Sequence, residues 1–240
     1  MKILAIVQAR MGSERLPGKV IKPILSKPMI IHTLDRLKKS RYIDQVLLAT
    51  SQLEKDDILE STVKEYCYDV FRGSEDDVLE RYKAASDKYC GDVIIRVTGD
   101  CPLIDPVIVD NAISYFLINN FDYVRLDVPE TFIRGFDVEV FSKEALDKTF
   151  ELAKEERYRE HVTLYIYNHP EVFKSGYVKG DRFYNKDYRL CVDTESDFKL
   201  VNFIYEHFNN ENVSAKDVVK FLDENEQIAN INKEVIQKNV

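Results

Sequence analysis

The sequence predicts an α/β fold with a doubly wound, mostly parallel sheet. Short apolar runs, continuous at residues 3–7 and 46–49 and interrupted by one residue at 93–97, are typical of strands buried on both faces of a parallel sheet. Stretches with helical spacing of apolar residues separate these runs, and this β-α-β rhythm favours parallel pairing. The length of 240 residues suits one domain of ordinary size.

The first half of the chain follows this rhythm closely. The predicted elements are strand 3–7, helix 29–37, strand 46–49, helix 58–66, strand 70–71, helix 76–89, strand 93–97, helix 106–119 and strand 123–126. Acidic residues at the start of the helix beginning near Asp76 suit the positive helix end. Pro106 is a favoured residue at the first position of a helix.

The rhythm changes over residues 127–188. Phe136, Val138 and Val140 alternate with Asp137 and Glu139, which predicts a half-buried strand with both carboxylates on one face. A last core strand is predicted at 190–192, followed by helices at 195–208 and 214–223. The polar tail from Glu224 is either a docked helix or a frayed end. We therefore expect a single domain over 1–240 with a small lobe inserted at about 127–188.

Composition excludes several classes of protein. The net charge of −8 argues against a general nucleic-acid binder. No apolar stretch approaches the roughly 18 residues of a membrane span, and no signal peptide opens the chain, so we expect a cytoplasmic protein without a membrane partner. The four cysteines are scattered without a C-x-x-C pair, which indicates neither a zinc site nor a disulfide framework.

The loop after the first strand carries the strongest functional signal. It lies at the carboxyl end of a parallel strand, where open α/β sheets bind ligands. Gly12 and Gly18 allow close approach of the backbone, while Arg10, Arg15 and Lys19 supply positive charge for several oxygens. A polyphosphate fits this composition best. The alternative is a surface turn with solvated charges.

The loop departs from the standard nucleotide-binding patterns. Five residues separate Gly12 from Gly18, and Val20 stands where the phosphate-loop pattern G-x-x-x-x-G-K-[ST] has a hydroxyl. The dinucleotide pattern G-x-G-x-x-G is also missing. Both a P-loop NTPase and a Rossmann dehydrogenase are therefore disfavoured.

Two acidic residues follow buried apolar runs and should emerge at the same edge of the sheet as the loop. Asp100 lies in TGDCPLI and Asp193 in RLCVDT. Negative charge beside a phosphate loop is explained by a divalent cation, since Mg²⁺ is typically held by one or two carboxylates together with substrate phosphates. The alternative is that each aspartate caps the helix that follows it.

Several segments together resemble the sugar-acid cytidylyltransferases, the family that contains the CMP-sialic acid and CMP-Kdo synthetases. The resemblance is strongest to the branch of spore coat polysaccharide biosynthesis protein SpsF. The segments are QARMGSERLPGK (8–19), RGSEDDVLERYKAA (72–85), VTGDCPLI (97–104), RGFDVEVFSKEAL (134–146), YREHVTLYIYNHPE (158–171) and RLCVDTESDF (189–198). They span most of the chain and form a specific set.

This resemblance implies a nucleotide-diphospho-sugar transferase-like fold, CTP as the donor, Mg²⁺ as the cofactor and a homodimer formed through the inserted lobe. It assigns metal binding to Asp100 and Asp193. The acceptor would attack the α-phosphorus of CTP and pyrophosphate would leave, with Arg10, Arg15 and Lys19 as the catalytic residues. The expected nucleotide-binding residues are Ala9, Arg10, Gly12, Ser13, Arg15, Lys19, Arg72, Gly73 and Ser74, the last three around the base and ribose.

The acceptor is expected to be a small anion that also carries hydroxyl or amino groups. Its expected ligands are Arg134, Asp137, Glu139, Arg159 and His161. Two other functions stay open from the residues alone. One is a glycosyltransferase that uses a nucleotide sugar and binds metal through a D-x-E pair, either Asp137 with Glu139 or Asp193 with Glu195. The other is a non-catalytic nucleotide-binding subunit.

Overall fold

The computed structural model describes residues 1–237, in which strands and helices alternate along most of the chain. The strands are β1 (Ile3–Gln8), β2 (Pro23–Ile24), β3 (Lys27–Pro28), β4 (Gln45–Ser51), β5 (Asp69–Gly73), β6 (Val93–Thr98), β7 (Tyr123–Leu126), β8 (Glu139–Ser142) and β9 (Ser175–Val178). The helices are α1 (Met29–Leu37), α2 (Asp57–Glu65), α3 (Val78–Tyr89), α4 (Pro106–Ile118), α5 (Lys143–Leu152), α6 (Glu156–Glu160), α7 (Leu164–Asn168), α8 (Glu195–Phe208), α9 (Ala215–Glu224) and α10 (Glu226–Ala229).

Seven of the strands form one sheet in the order β5-β4-β1-β6-β8-β7-β9. Every neighbouring pair is parallel except the two that involve β8, which runs antiparallel to β6 and to β7. The central strand β1 pairs with β4 and β6 in a register that sets Ala5 opposite Val46 and Ile95. The mostly parallel sheet predicted from the apolar runs is confirmed.

Both faces of the sheet are covered, as a doubly wound fold requires. Side chains of β1 alternate between two hydrophobic clusters: Ala5 and Val7 pack in one, and Leu4 and Ile6 in the other. The first cluster contains apolar residues of α1, α4, α8 and α9, and the second contains those of α3 and α5. A central strand buried on both sides explains the continuous apolar run in the sequence.

The predicted strand at 190–192 is wrong. Leu190, Cys191 and Val192 are buried, but this segment is irregular and crosses the carboxyl edge of the sheet. It is held there by two backbone hydrogen bonds, from Leu190 N–H to the Arg134 carbonyl and from Val192 N–H to the Asp100 carbonyl, both 2.8 Å. The apolar run therefore reports burial, and its neighbour Arg189 forms only an isolated parallel β-bridge with Arg134 within residues 1–237.

The segment 127–188 contributes two strands to the main sheet, β8 and β9, together with α5, α6 and α7. Strand β8 begins at Glu139, so Asp137 precedes it, yet the predicted alternation holds: Phe136, Val138 and Val140 are buried while the two acids are partly accessible. The homodimer expected from this segment stays a prediction.

The tail after α9 is docked, at least as far as the short 3-10 turn at Asn230–Asn232. The buried amide of Asn232 donates hydrogen bonds to the Arg189 carbonyl and to Asp197 Oδ1, at 2.9 and 2.7 Å. Within residues 1–237, no helix is long and apolar enough to cross a membrane.

Candidate active site

The loop between β1 and the 3-10 turn at Lys19–Ile21 forms one wall of a cleft of about 540 Å³ at the carboxyl edge of the sheet. Met11 N–H donates to Asp56 Oδ1 at 2.7 Å, which ties the loop to the neighbouring β4–α2 connection. Gly18 has a φ of +67°, a conformation that glycine adopts without strain, and it leads into the turn that carries Lys19. The charged side chains of the loop are thereby placed above the strand ends.

Most of the predicted nucleotide-binding and metal-binding residues line this cleft. They are Ala9, Arg10, Gly12, Ser13, Arg15, Lys19, Asp100 and Asp193. Residues that the sequence did not single out also line it, among them Gln8, Glu75, Asp76, Arg81, Thr98 and Gly99. Gly99 permits a close approach here, since a Cβ at this position would lie 2.7 Å from the Cβ of Ala9.

Asp193 lies at the centre of a cluster of cations. Lys19 Nζ is 2.8 Å from Asp193 Oδ1, and Arg15 Nη2 is 3.0 Å from Asp193 Oδ2. Arg189 also contacts Asp193 Oδ2. Burial raises the pKa of Asp193, but the charges of Lys19, Arg15 and Arg189 together lower it by more. The pKa of Asp193 therefore lies below its usual value. Asp193 is therefore an ionised carboxylate.

Arg189 is held in turn by Asp197. Arg189 Nε donates to Asp197 Oδ1 at 3.1 Å, and Asp197 is completely buried. The other oxygen of Asp197 accepts from the backbone N–H groups of Asp193 and Thr194, within a capping box at the start of α8. Sequence reasoning missed both residues, although RLCVDTESD contains the T-x-x-D spacing that predicts such a box.

Asp100 is the second carboxylate of the cleft. Thr98 Oγ1 donates to Asp100 Oδ1, and Lys19 Nζ lies 3.7 Å from Asp100 Oδ2. Burial lowers the pKa of Lys19, but Asp100 and Asp193 together raise it above its ordinary value. One ammonium group thus lies between the two carboxylates, and it stays protonated.

The helix-cap alternative for the two aspartates is wrong. The N-cap of α4 is Asp105, whose side chain accepts from Val107 N–H, and the N-cap of α8 is Thr194. Asp100 and Asp193 point their carboxylates into the cleft instead.

The donor set fits a magnesium ion bound with substrate phosphates. Over residues 1–237 no three His, Cys, Asp or Glu side chains are grouped to hold a metal. Asp100 and Asp193 provide carboxylate oxygens alone, and Mg²⁺ prefers oxygen ligands and is usually held by one or two carboxylates plus phosphate oxygens and water. The pair therefore matches an ion that arrives with a polyphosphate.

A second cluster of charge lies across the cleft mouth. Glu75 Oε1 accepts from Arg10 Nη1 at 3.1 Å and from Lys55 Nζ at 2.5 Å. Lys55 Nζ lies 3.1 Å from where a Cβ at Gly12 would sit. Glu75 and Lys55 were missed because they lie on different connections, and only the folded loop brings them together.

Arg72, Gly73 and Ser74, predicted near the base and ribose, do not line the cleft, so their contact with the nucleotide stays a prediction that the geometry does not support. The Arg72 guanidinium binds Glu60 at 2.7 Å, Asp57, and the carbonyls of Ser51 and Leu53. Ser74 Oγ accepts from Asp77 N–H at the start of α3. These residues fix the β5–α3 connection, and the cleft wall is formed by the residues that follow them, including Asp76 and Val78.

A second cavity of about 330 Å³ adjoins the cleft. The two share Thr98, Asp100 and Asp193 as lining residues. Three predicted acceptor residues, Arg134, Asp137 and Glu139, line this second cavity. We call it the acceptor cavity, and the first space the nucleotide cleft.

The two carboxylates of the acceptor cavity have different surroundings. Glu139 is bound by Arg96, by the Tyr123 hydroxyl and by Thr163 Oγ1, the last at 2.8 Å. Burial raises the pKa of Glu139, but Arg96 and these donors lower it below its usual value. Asp137 accepts from Gly135 N–H at 2.6 Å, and burial raises the pKa of Asp137.

The remaining two predicted acceptor residues lie elsewhere. Arg159 lines neither cavity: its Nε and Nη2 donate to Asp77 Oδ2 at 2.9 and 2.5 Å, and Asp77 is the N-cap of α3. Arg159 therefore stabilises the start of α3 in this structure, and its acceptor role stays a prediction that this position does not support. His161 lines the nucleotide cleft.

Neither D-x-E pair forms a shared metal site. Glu195 pairs with Lys22 at 2.9 Å and lines neither cavity, while Glu139 is occupied by Arg96. The geometry therefore does not support the glycosyltransferase alternative.

Comparison with known proteins identifies the family of this chain. A family model described as cytidylyltransferase matches residues 4–236. The chain belongs to the cytidylyltransferase family. It is 43% identical over 239 residues to the uncharacterized protein MJ1063 of Methanocaldococcus jannaschii, covering 99% of this chain and 97% of that protein. It is 37% identical over 235 residues to the spore coat polysaccharide biosynthesis protein SpsF of Bacillus subtilis, covering 95% and 96%.

A solved cytidylyltransferase structure from Leptospira borgpetersenii superposes on this cytidylyltransferase with a TM-score of 0.92 at 34% identity, covering 99% of this chain and all of that one. Enzymes named for sugar acids match about half of the chain. The 3-deoxy-manno-octulosonate cytidylyltransferase of Geobacter sulfurreducens is 34% identical over 48% of this chain and 45% of its own. The 8-amino-3,8-dideoxy-manno-octulosonate cytidylyltransferase of Shewanella frigidimarina is 34% identical over 48% of each. The resemblance predicted from the sequence motifs is confirmed.

Proposed function

We propose that this cytidylyltransferase transfers CMP from CTP to a small anionic acceptor in the synthesis of a surface glycan precursor. The observation that carries the proposal is the pair Asp100 and Asp193, which line both the nucleotide cleft and the acceptor cavity. A donor in the first space and an acceptor in the second would meet at these two residues. The family membership supports CTP as the donor.

The residues of the cleft suit the chemistry of nucleotidyl transfer. An acceptor oxygen attacks the α-phosphorus of CTP, the bond from that phosphorus to the bridging oxygen breaks, and pyrophosphate leaves. Such transfers depend on positioning and charge stabilisation. Arg10 and Arg15 would bind the triphosphate, and Lys19 would stabilise the charge that develops on the phosphate oxygens.

The proposal includes Mg²⁺ held by Asp100 and Asp193 together with the triphosphate. When bound, this ion would neutralise part of the phosphate charge. Lys19, Arg15 and Arg189 fix the Asp193 carboxylate, and Thr98 fixes that of Asp100. The chain would thereby present both carboxylates in set positions before the nucleotide arrives.

The acceptor side rests on Arg134, Asp137 and the acceptor cavity. A guanidinium group binds carboxylate or phosphate oxygens in pairs, so Arg134 favours an anion. The named substrates of the half-length relatives make an eight-carbon sugar acid a reasonable first acceptor, and the SpsF relative supports a role in polysaccharide synthesis. A phosphorylated small molecule is the other acceptor class. We expect the enzyme to act in the cytoplasm as a homodimer. Sedimentation of the purified protein would check the oligomeric state.

A screen of the four nucleoside triphosphates against sugar acids and phosphorylated metabolites tests the function. Pyrophosphate should appear only with CTP, an acceptor and Mg²⁺ together. Comparable pyrophosphate release with UTP or ATP would refute the choice of base, and release of a nucleoside diphosphate from a sugar nucleotide would favour the glycosyltransferase. CTP binding without turnover of any acceptor would favour a non-catalytic subunit.

A matched pair of lysine variants locates the reaction. Lys19→Met should lower kcat by roughly 10² or more, since a charge contact to the transferred group is lost. Lys22 lies three residues later, pairs with Glu195 and lines neither cavity, so Lys22→Met should retain activity. Equal losses in both variants would mean that the loop acts only through its overall charge.

A further inference from the structure

The acceptor cavity contains charged side chains in two distinct states. Arg96 and Glu139 form an ion pair that Tyr123 and Thr163 complete with hydrogen bonds to the carboxylate. This pair is internally compensated, so it has little need of a charged ligand. The remaining charges that line only this cavity are Arg125, Arg134 and Asp137.

Arg125 has no carboxylate partner within residues 1–237. Its guanidinium carbon lies 4.9 Å from the centre of the Tyr167 ring and 5.3 Å from that of Tyr177, and its Nε is buried without a hydrogen-bond acceptor. Arg134 likewise makes no side-chain ion pair or hydrogen bond in the described part of the chain, and its charge acts on Asp137 through space. Two guanidinium groups are therefore available for an anion.

Asp137 is the one carboxylate of this cavity that no cation contacts, judged over residues 1–237. Gly135 N–H donates to its Oδ2 at 2.6 Å, and no side chain of residues 1–237 donates a hydrogen bond to this carboxylate. Burial disfavours its charged form and Asp100 repels it, while Gly135 N–H and the charge of Arg134 offset these effects only in part. A partly buried carboxylate that no cation contacts costs free energy unless a ligand supplies the missing cation or donor.

We propose that the acceptor is an amino-bearing anion, whose ammonium group binds Asp137 while its carboxylate or phosphate binds Arg134 and Arg125. This assignment rests on the proposed function and names the class of acceptor within it. The unmatched charges of the cavity are two positive and one negative, and a zwitterionic sugar acid complements both signs. An acceptor with hydroxyl groups alone leaves Asp137 without a counter-charge.

The volume is compatible with this class. Small-molecule sites usually measure about 300–1,000 Å³. The acceptor cavity, at about 330 Å³, lies near the lower limit. A compact sugar acid of eight or nine carbons is the appropriate size, with its attacking oxygen directed toward Asp100 and Asp193.

The test uses acceptors in matched sets. Each set contains a sugar acid with a free amino group, its N-acetylated form and the analogue with a hydroxyl at the same carbon; 8-amino-3,8-dideoxy-manno-octulosonate and 3-deoxy-manno-octulosonate form the first set. Acceptor binding is measured by calorimetry on the enzyme loaded with Mg²⁺ and a non-hydrolysable CTP analogue. Turnover is measured with CTP itself, by pyrophosphate release. The best amino acceptor should exceed its neutralised partners by roughly 10- to 100-fold, the range for one charge-assisted hydrogen bond.

Asp137→Asn decides whether this carboxylate is responsible. Asparagine has the same shape and keeps an oxygen for Gly135 N–H, so the fold should survive. The variant should lose the preference for the amino acceptor through a higher acceptor KM, with the CTP KM unchanged. Arg134→Gln should instead weaken the amino and hydroxyl acceptors alike, since both carry the anion.

The outcomes separate this assignment from the proposed function. Pyrophosphate release without any preference for the amino member, or a preference that persists in Asp137→Asn, overturns the assignment and leaves cytidylyl transfer in place. A binding preference that Asp137→Asn abolishes, with no pyrophosphate from any nucleotide, supports the assignment and overturns the transfer. If no member of any set binds, the cavity is not an acceptor site and the assignment fails.

Discussion

The nucleotide cleft and the acceptor cavity share Asp100 and Asp193 but differ in how their charges are balanced. In the cleft, Asp193 is surrounded by three cations and Glu75 by two. In the cavity, within residues 1–237, no cation contacts Asp137, and neither Arg125 nor Arg134 forms an ion pair with a carboxylate. The cleft is thus organised before its ligand binds, whereas the cavity depends on the ligand to complete its charges.

Substitution of the two aspartates proposed to bind Mg²⁺ should give the largest effect. Asp100→Asn and Asp193→Asn should each lower kcat by roughly 10² or more, about 2.7 kcal/mol of transition-state stabilisation. Stability should separate the two variants. Asp193→Asn removes the carboxylate that Lys19, Arg15 and Arg189 share and should lower the free energy of unfolding by about 1–3 kcal/mol, whereas Asp100→Asn should be nearly neutral.

Pyrophosphate assays and thermal unfolding of the purified variants check this. Charge repulsion alone would make both aspartates neutral to stability or destabilising. The ion pairs of Asp193 reverse this effect for one of them. Full activity per folded molecule in both variants would move the metal site elsewhere.

The backbone of the acceptor cavity should be sensitive to a single methyl group at Gly135. Its φ is +110°, and a Cβ there would lie 2.5 Å from the carbonyl carbon of Leu190. Gly135→Ala should therefore lower the free energy of unfolding by at least about 1–3 kcal/mol, or roughly 2–4 °C in Tm per kcal/mol.

Gly12→Ala is the matched control in the nucleotide cleft. Its Cβ would come closest to the flexible end of Lys55, at 3.1 Å, and would lie 3.7 Å from Glu75 Oε1, so Tm should hold while CTP binding weakens. If Gly135→Ala instead unfolds at the same temperature as the unmodified protein, position 135 tolerates a side chain and the cavity wall can shift.

Two arginines predicted to bind the acceptor should now respond differently. Arg159→Ala removes the ion pair with the N-cap Asp77 and should lower the free energy of unfolding by about 1–2 kcal/mol, with the acceptor KM unchanged. Arg134→Ala should raise the acceptor KM about 10-fold or more with little change in Tm. Steady-state kinetics and thermal unfolding of both variants distinguish the roles, and a higher acceptor KM in Arg159→Ala would restore the prediction made from sequence.

The positions of Asp100 and Asp193 show which cleft residues a sequence pattern can locate. Asp100 and Asp193 were found because each follows a buried apolar run, and the carboxyl ends of parallel strands meet at one edge. The rule works even for Asp193, although 190–192 is not a strand, because a buried segment crosses that same edge. Position relative to the sheet therefore mattered more than the secondary structure assigned to the segment.

Arg72 and Arg159 show where the same reasoning fails. Both lie in segments that resemble the family, but their guanidinium groups bind helix-terminal carboxylates, and a sequence does not show which partner a long side chain reaches. Arg125 and Arg96 were missed for the opposite reason. Each interrupts an apolar strand, at Tyr123–Leu126 and Val93–Thr98, and a charge in a buried strand is a signal that could have identified the acceptor cavity.

The smallest expected effect is the sharpest test of the contrast between the two sites. At neutral pH, Asp137→Asn should raise the free energy of unfolding by about 1 kcal/mol, since it removes an uncompensated buried charge, whereas Asp193→Asn should lower it. The sign follows from each pKa. The raised pKa of Asp137 means that its ionisation opposes folding, an effect present at neutral pH and lost as the pH falls below the unfolded value of about 3.9. The lowered pKa of Asp193 means that its ionisation favours folding above about 3.9, and this contribution is lost as the pH falls through the folded pKa. Urea unfolding of the three proteins between neutral and acidic pH should therefore show two differences of opposite sign that both shrink toward low pH. A stability loss in Asp137→Asn at neutral pH would mean that this carboxylate is already compensated, and the contrast between cleft and cavity would not hold.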